Sequence, residues 1–339
     1  MKAVGLTRYL PISDPESLID LDLPAPEPTA RDLLVRVEAI AVNPVDTKVR
    51  RSQPARTEPA PRVLGWDAAG VVEAVGGDAT LFKPGDPVFY AGSIARAGSY
   101  SEFQLVDERI VGRKPVSLDF AAAAALPLTS ITAWESLFDR LRIERDGGHR
   151  GRSILIIGGA GGVGSVAIQL ARIAGLVVIA TASRPETESW VRKLGADHVL
   201  NHAEPLAPQL EAAGHGTVDF ILNTADTDGY WDVLAGLIKP QGAIVLIVGS
   251  GSPRDIELFK SKSVTIAWEF MFTRPIFGTD DMQAQHALLN LVAALVDEGR
   301  LLTTQTEVLE PICARTLREA HARLESGRTI GKITLRGWR

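Results

Sequence analysis

The stretch SILIIGGAGGVGSVAIQLARIAG, residues 153–175, predicts a strand, a glycine-rich turn and a helix in succession. Apolar strand residues, Ile154–Ile157, lead into Gly159, Gly161 and Gly164, and apolar residues at helical spacing follow. In such a unit the first glycine permits a tight turn, the second lets the backbone approach a pyrophosphate, and the third packs helix against strand. Free N–H groups at the helix N-terminus favour the same anion. These features favour dinucleotide binding over a glycine-rich turn of purely structural origin.

The end of the second strand indicates which dinucleotide binds. An NAD enzyme places an acidic residue there to grip the ribose hydroxyls, but VVIATASRPETESW, residues 177–190, carries Thr181, Ser183 and Arg184 instead. A guanidinium and a hydroxyl bind a 2′-phosphate that a carboxylate would repel, so we predict NADPH. The alternative is that Ser183 caps a helix beginning at Pro185 and that Arg184 is solvated. The predicted cofactor contacts are Gly159, Gly161, Gly162, Val163, Gly164, Thr181, Ser183, Arg184, Asn223 and Gly249.

Two patterns divide the 339 residues, a length that favours two domains. From Lys2 to about Val111 apolar residues alternate, as in LLVRVEAIAV, which predicts an antiparallel β domain. From about Ser130 onward short apolar runs alternate with helical stretches, which is typical of βα units and a parallel sheet. Six strands are predicted to begin at Ile154, Val177, His198, Phe220, Ala243 and Val264, the number a complete dinucleotide-binding sheet needs. The predicted class is therefore α/β.

The last part of the chain shows a third pattern. A long amphipathic helix is predicted from Met282 to Glu298, followed by a strand near Thr304, a helix over Ala314–Glu325 and a final strand, KITLR. Such a tail could return to the first domain.

Composition excludes several classes of function. Apolar residues make up 45% and charged residues 23%, the net charge is -5, and no Lys/Arg run suits nucleic acid or an anionic membrane. The single cysteine, Cys313, cannot form an internal disulfide, and there is no cysteine cluster for a structural metal. No signal peptide or membrane-spanning run is recognised, so we expect a cytoplasmic protein.

Several segments together resemble the zinc-type alcohol dehydrogenase-like branch of the medium-chain dehydrogenase/reductase superfamily, close to the zeta-crystallin quinone reductases. The matching segments, in chain order, are VNPVDTKVR, LGWDAAGVVEAVG, FKPGDPV, AALPLTSITAWE, GGAGGVGS, LGADHV and GKITL. The resemblance implies a GroES-like β domain over 1–128 and 276–339, a Rossmann domain over 129–275 and an active-site cleft at their junction. It also implies a homodimer or larger oligomer joined through the Rossmann sheets, and it places His202 beside the adenosine 2′-phosphate.

Zinc-dependent relatives hold a catalytic metal at three points of these segments. The corresponding positions here are Asn43, Trp66 and approximately Leu128, which together are not a zinc ligand set. The four-cysteine structural zinc loop is absent as well. A histidine pair, His198 and His202, lies at a predicted strand end without carboxylate or cysteine company. We therefore predict a zinc-independent enzyme.

Loss of zinc changes the expected substrate. Hydride delivery to a simple ketone produces a localised alkoxide, which needs a Lewis acid or a matched proton donor. A quinone or an α,β-unsaturated carbonyl gives a delocalised anion, for which one or two hydrogen-bond donors suffice. We predict NADPH-dependent reduction of such electrophiles. The alternatives are an alcohol dehydrogenase acting on simple alcohols or ketones, and a non-catalytic NADPH-binding sensor.

The resemblance nominates Asn43 to hold a substrate carbonyl or the nicotinamide ribose, with Asp46 supporting its loop. Many quinone reductases have a tyrosine five residues later, where this chain has Lys48, so the proton donor is Lys48 or water. Thr129 is the second catalytic candidate and Tyr90 is a further cleft candidate, and each has an equally good packing explanation. The segment WEFMFTRPIF, Trp268–Phe277, suits a substrate wall or a dimer interface equally well.

Overall fold

The protein is described by a computed structural model that covers residues 1–53 and 56–339. The strands are β1 Lys2–Arg8, β2 Ile19–Asp22, β3 Asp32–Ala41, β4 Thr57–Val63, β5 Ala68–Val75, β6 Pro87–Tyr90, β7 Phe103–Asp107, β8 Val111–Arg113, β9 Ser153–Ile157, β10 Val177–Thr181, β11 His198–Leu200, β12 Val218–Asn223, β13 Ile238–Leu246, β14 Thr265–Trp268, β15 Gln305–Leu309 and β16 Lys332–Arg336.

The α-helices are α1 Pro44–Arg50, α2 Phe120–Ala124, α3 Pro127–Trp134, α4 Gly162–Ile173, α5 Pro185–Leu194, α6 Leu206–Ala212, α7 Thr227–Leu237, α8 Thr273–Phe277, α9 Ala284–Asp297 and α10 Ala314–Glu325. A π-helix covers Glu135–Arg140, and 3₁₀ helices cover Glu108–Ile110 and Ile256–Lys262. The chain forms two compact units, one from Met1–Ile131 with Phe272–Arg339 and the other from Thr132–Met271.

The unit formed by Thr132–Met271 contains a six-stranded sheet in the order β11-β10-β9-β12-β13-β14. All of its strand pairs are parallel, and this order is that of a complete Rossmann sheet. The central strand β9 pairs with β10 on one side and β12 on the other, and all five of its residues are buried. Burial on both faces explains why its sequence is an uninterrupted apolar run instead of an alternating one. The α/β class and the six-stranded parallel sheet are thus confirmed.

The core of this unit is made by helices packed on the sheet. Leu155, Ile179, Ile221 and Ile244, from four neighbouring strands, belong to one buried apolar cluster that also includes Phe259. A helix connects each of the first five strands to the next parallel strand, the connection that a parallel sheet requires. Because all of the strand pairs are parallel, the carboxyl ends of the six strands lie along one edge of the sheet.

The other unit is mainly antiparallel. One sheet has the order β2-β1-β4, and a seven-stranded sheet has the order β15-β16-β3-β5-β6-β8, with β7 pairing β3. The alternating residues Val35 and Val37 of β3 are buried while Arg36 between them is exposed, as the sequence pattern predicts. The last two strands differ from a purely antiparallel expectation, because β15 and β16 pair in parallel through the crossover helix α10.

The C-terminal tail completes this sheet. Thr334 of β16 pairs with Ala41 of β3, so the chain end lies directly beside the segment that precedes α1. The predicted helix over Ala314–Glu325 and the strand KITLR have the predicted bounds. Within residues 1–53 and 56–339, no helix has the length and apolar content needed to cross a membrane.

Candidate functional site

The glycine-rich turn joins β9 to α4. Gly158, with φ of +82°, makes the left-handed step, so the residue that permits the sharp turn precedes Gly159, to which the sequence analysis assigns that role. The turn is tied to the end of β10, since Thr181 accepts the Gly158 N–H at its side-chain oxygen, 3.0 Å away, and the Gly159 N–H at its carbonyl, 3.2 Å away. Through these two hydrogen bonds the buried Thr181 holds the turn in place.

The two later glycines differ in their surroundings. A Cβ on Gly164 would lie 2.4 Å from the Gly158 carbonyl oxygen, so the helix approaches the strand more closely than any side chain allows. A Cβ on Gly161 would meet one atom within 4 Å, the same oxygen at 3.4 Å. Gly161 is the N-cap of the twelve-residue helix α4, whose first N–H groups have no partner within the helix. The open side of Gly161 thus exposes a helix N-terminus of the kind that binds phosphate.

The strand ends beside this turn carry further predicted contacts. Asn223 ends β12, pairs with Ile157 in register and is buried, so it lies across the sheet from the turn where the strand order reverses. Its Oδ1 accepts the Ala225 N–H over 3.1 Å, whereas its Nδ2 has no hydrogen-bond partner among the described residues. A buried donor without a partner is costly, and a ligand that accepts from Nδ2 would satisfy it. Gly249 is exposed, with open space around its Cα.

Arg184 and His202 lie close together beyond β10 and β11. Ala182 and Leu200 are joined by a backbone hydrogen bond of 2.9 Å, which aligns the two loops. Burial lowers the pKa of His202, and the nearby Arg184 guanidinium lowers it further. Ser183 is exposed. The alternative that Ser183 caps α5 is wrong, because Arg184 is the N-cap and its N–H donates to Thr187 Oγ1 over 3.0 Å.

Asn43 lies in a buried polar cluster of the other unit. Its Nδ2 donates to Asp67 Oδ2 over 2.8 Å, and its Oδ1 accepts from Lys332 Nζ over 2.6 Å. Lys332 Nζ also lies 2.7 Å from Asp67 Oδ2, and Asp67 Oδ1 accepts the Leu128 N–H over 2.8 Å. Burial raises the pKa of Asp67, and the Lys332 ammonium opposes that rise. An amide, a carboxylate and an ammonium are thereby held together by direct hydrogen bonds.

Asp46 supports the Asn43 loop, as the sequence analysis expects. Its Oδ2 accepts the Asn43 N–H over 2.8 Å and the Tyr100 hydroxyl over 2.7 Å. The Tyr100 oxygen in turn lies 3.0 Å from His321 Nε2. Burial raises the pKa of Asp46 to about 7 and lowers the pKa of His321 to about 3. The loop is therefore anchored to α10 through a chain of buried hydrogen bonds.

The three positions at which the resemblance places the zinc ligands of relatives, Asn43, Trp66 and approximately Leu128, lie around one carboxylate. Asp67 contacts Asn43 and the Leu128 N–H, and it directly follows Trp66, whose Nε1 donates to the Ser93 carbonyl over 3.1 Å. In the part of the chain that the structure describes, no three His, Cys, Asp or Glu side chains are arranged to hold a metal ion. The side chains at the three aligned positions are an amide, an indole and an isobutyl group.

The remaining candidate residues of the sequence analysis lie in different environments. Thr129 is buried on α3, and its hydroxyl donates to the Leu126 carbonyl over 3.1 Å. Lys48 is exposed on α1. Tyr90 is buried on β6, where burial raises the pKa of its hydroxyl. Within Trp268–Phe277, Trp268 and Phe277 are 52% and 75% exposed while the residues between them include buried ones.

Comparison with known proteins gives one answer along the whole chain. Residues 29–116 match the alcohol dehydrogenase GroES-like domain, and residues 194–335 match the zinc-binding dehydrogenase family. A zinc-type alcohol dehydrogenase-like protein of Staphylococcus epidermidis is 43% identical over 336 residues, covering 99% of each chain. The chain belongs to the zinc-type alcohol dehydrogenase-like family. This family lies within the medium-chain dehydrogenase/reductase superfamily, as the motifs indicate.

Other members of the superfamily are similar in structure or sequence. The crystal structure of a putative zinc-dependent alcohol dehydrogenase protein from Rhizobium etli CFN 42 superposes with a TM-score of 0.95 at 56% identity, covering 100% of this chain and 98% of that one. Human quinone oxidoreductase is 36% identical over 204 residues, 60% of each chain. As a zinc-type alcohol dehydrogenase-like protein, this chain is an oxidoreductase that binds a nicotinamide cofactor.

The residues of this zinc-type alcohol dehydrogenase-like chain fit such a cofactor. The uncovered helix N-terminus at Gly161, the unpartnered Nδ2 of Asn223 and the open backbone at Gly249 all lie at the carboxyl ends of parallel strands. Ligands of open parallel sheets bind at that edge, where the strand order reverses. The turn therefore offers free N–H groups to the phosphates of such a cofactor.

A buried acid pair also lies in the unit formed by Thr132–Met271. Glu269 follows β14, and its Oε2 accepts from Arg140 Nε over 2.8 Å. Burial, the charge of Glu135 and a hydrogen bond with Glu135 together raise the pKa of Glu269 to about 9, although the Arg140 guanidinium opposes that rise. Two carboxyl groups so close cannot both ionise, so they share a proton. Glu135 and Arg140 are the two ends of the π-helix, an uncommon element that is often found at functional sites.

Several residues of these clusters escaped sequence reasoning. Asp67 and Lys332 belong to the quoted segments LGWDAAGVVEAVG and GKITL, so the motif signal was present, but it did not show that the two side chains meet. Tyr100 and His321 lie in no recognised motif, and Glu269 lies in the segment Trp268–Phe277 but was not itself a candidate. Their partners come from distant segments, and only the tertiary structure brings them together.

Proposed function

We propose that the protein is a zinc-independent, NADPH-dependent oxidoreductase that transfers hydride to quinones or α,β-unsaturated carbonyls. The observation that carries this proposal is the Asn43 amide, which is held between Asp67 and Lys332; the resemblance places a zinc ligand of zinc-dependent relatives at this position. Asn43, Trp66 and Leu128 together are not a zinc ligand set, whereas the Asn43 amide can donate a hydrogen bond. A neutral hydrogen-bond donor is sufficient for the delocalised anion that hydride transfer to a quinone or an α,β-unsaturated carbonyl produces.

Asn43 is the proposed binding group for the electrophile oxygen. One N–H of its amide is used by Asp67, and the second remains as a donor toward a substrate carbonyl. The buried surroundings make such a hydrogen bond stronger than it would be in water. NADPH supplies the hydride when bound. The role of Asn43 is to hold the carbonyl oxygen and to stabilise the negative charge that develops on it.

The preference for NADPH over NADH is proposed from charge. Arg184 and His202 lie together beyond the ends of β10 and β11, and Thr181 and Ser183 replace the acid that would bind a 2′-hydroxyl. The Arg184 guanidinium would pair with the 2′-phosphate. The pyrophosphate would lie over the backbone of Gly161, Gly162, Val163 and Gly164, with Gly159, Asn223 and Gly249 completing the site.

Protonation of the product needs a separate group. Lys48 is exposed on α1, five residues after Asn43, and is the proposed proton donor, with water as the other source. Thr129 is proposed to orient the substrate through its hydroxyl oxygen, which keeps acceptor capacity while its proton is donated to Leu126.

We also propose a homodimer in which the Rossmann sheets are joined edge to edge. The order of the six-stranded sheet leaves β14 at its edge, and Trp268 on this strand is half exposed. An exposed strand edge with a large aromatic side chain favours pairing with another chain.

The predicted location of the protein, the cytoplasm, suits an NADPH-dependent reductase.

One assay tests the proposed reaction. Oxidation of NADPH and NADH is followed with quinones, enones, aldehydes and simple ketones, on protein of known metal content, with and without chelator. Chelator-insensitive turnover of quinones or enones with NADPH preferred supports the proposal, and Asn43→Ala should then abolish most of it. Asn290→Ala, which changes an asparagine on α9 that bonds the Arg113 N–H, is the matched control. Turnover of alcohols or ketones alone, lost with chelator, would contradict the zinc argument, and NADPH binding without turnover would favour a sensor.

A further inference from the structure

Charge determines which way the Asn43 amide faces. Its Oδ1 lies 2.6 Å from the Lys332 ammonium and its Nδ2 lies 2.8 Å from the Asp67 carboxylate. If the oxygen and nitrogen were exchanged, the carbonyl would face the carboxylate and the N–H groups would face the ammonium. Both contacts would be repulsive, because an ammonium has only donors and a carboxylate has only acceptors. The observed orientation is therefore the one that the two charges permit.

The surroundings make this preference strong. The relative exposures of Asn43, Asp67 and Lys332 are 1%, 0% and 3%, so water screens their interactions little. Asp67 is itself immobilised, because its second oxygen accepts the Leu128 N–H. Lys332 is immobilised by the sheet, since its backbone N–H donates to Thr304 over 2.8 Å at the start of β16. Both charges thus have fixed positions from which to orient the amide.

We propose that Lys332 is a positioning residue whose ammonium keeps the Asn43 amide with its nitrogen as the donor. The ammonium also withdraws electrons through the Asn43 carbonyl, which strengthens the remaining N–H as a donor to a substrate oxygen. Lys332 acts through Asn43 and needs no contact with substrate. The use of that N–H on a substrate rests on the proposed function, whereas the orientation of the amide does not.

The fold explains how the lysine reaches the amide. Lys332 and Asn43 are 289 residues apart, but β16 pairs with β3, and Asn43 follows β3 closely. Strand pairing therefore delivers the ammonium to the amide, and Asp67, just before β5 on the other side of β3, supplies the opposing charge. Three neighbouring strands of one sheet assemble the cluster.

A measurement on the amide tests the orientation without any substrate. The side-chain resonances of Asn43 are identified by their loss in Asn43→Ala, and their hydrogen exchange is followed by NMR. We expect slow exchange in the native protein and exchange at least about tenfold faster in the double variant Asp67→Asn with Lys332→Met, in which both charges are removed together. Using the double variant avoids leaving a buried charge unpaired, which could prevent folding. Unchanged exchange in the double variant overturns the proposal.

Kinetics with the proposed electrophiles test the consequence. Lys332→Met and the double variant should each lower kcat by about tenfold or more with the KM for NADPH nearly unchanged, and Lys332→Arg, which keeps the charge, should recover part of the loss. Lys239→Met, which removes the ion pair with Asp219, is the matched control and should keep the native kcat. A merely structural lysine would lower the melting temperature and the amount of active protein, but would not change the Asn43 resonances selectively.

The two proposals fail in different ways. If the native protein reduces no quinone or enone, the proposed function is wrong and the NMR measurement alone decides the role of Lys332. If the native protein reduces these electrophiles, and the double variant keeps both the native kcat and the native amide exchange, the positioning role is wrong and the proposed function stands.

Discussion

The Lys332 ammonium and the Asp67 carboxylate form an ion pair of 2.7 Å between residues 265 positions apart, with both side chains buried. The pair joins the final strand of the chain to the segment that precedes β5. Since each charge has given up its hydration, each depends on the other and on Asn43 for compensation. The end of the chain is therefore part of the candidate site as well as part of the sheet.

Removing one charge of this ion pair should destabilise the protein more than removing both charges. Lys332→Met leaves the Asp67 carboxylate buried without its partner, and we expect a loss of roughly 3–5 kcal/mol in the free energy of unfolding. The double variant with Asp67→Asn should recover a substantial part of that loss. Denaturant unfolding of the two single variants and the double variant measures the coupling. Lys239→Met, which breaks a partly exposed pair, should cost no more than about 1 kcal/mol; an equal cost for the two lysines would contradict the prediction.

The buried acid pair of Glu269 and Glu135, in the unit formed by Thr132–Met271, predicts a dependence of stability on pH. The pKa of Glu269 rises from 4.5 to about 9 on folding, so between these values the native protein holds a proton that the unfolded chain has released. The free energy of unfolding should therefore fall as the pH rises through this window. Arg140 and Glu135, the charged groups facing Glu269, remain in place in Glu269→Gln, which carries a permanently neutral side chain.

Unfolding of Glu269→Gln, measured at about pH 6 and about pH 9, should show a smaller decrease in stability than the native protein. Glu257→Gln, which alters an exposed carboxylate paired with Lys260, serves as the control and should keep the native slope. Identical slopes in Glu269→Gln and the native protein would show that the pair does not hold a proton.

Removing the charge of Arg184 should change which cofactor is preferred. Arg184→Gln loses the proposed contact with the 2′-phosphate, so the Kd for NADPH should rise by about tenfold while that for NADH stays nearly constant. Fluorescence of the bound reduced cofactor measures both constants without a substrate. Arg192→Gln, which breaks an exposed pair with Glu188 on the same helix, is the control. Equal weakening for the two cofactors would mean that Arg184 does not recognise the phosphate.

Two glycines of the same turn should respond differently to alanine. Gly161→Ala places its Cβ 3.4 Å from the nearest atom, so the protein should fold normally but bind dinucleotide poorly, because the methyl group covers the helix N-terminus. Gly164→Ala would place its Cβ 2.4 Å from the Gly158 oxygen, so the helix must move away from the strand and the melting temperature should drop. Melting curves and NADPH titrations of both variants distinguish the two effects. Similar melting temperatures for the two variants would contradict this assignment.

Local patterns in the sequence were sufficient to predict the fold class. The six strands of the parallel sheet begin within a few residues of their predicted positions, except β13, which begins at Ile238. Such predictions succeed because a buried strand and an amphipathic helix each impose their own spacing of apolar residues on adjacent positions. The alternative that Ser183 caps α5 is wrong, since Arg184 is the cap; two neighbouring polar residues offer similar local chemistry, and only the backbone geometry distinguishes them.

The sequence by itself determined the parallel sheet, the glycine-rich turn and the absence of zinc-type donors at Asn43 and Trp66, because each depends on residue types at short spacing. Only the tertiary structure decided that Lys332 and Asp67 enclose the Asn43 amide, and that Glu269 lies beside Arg140 and its neighbouring acid. A charge in a sequence has no assigned partner, since the energy of an ion pair depends on distance and burial. Strand pairing determines both the distance and the burial, and it thereby brings residues from separate segments together in one site.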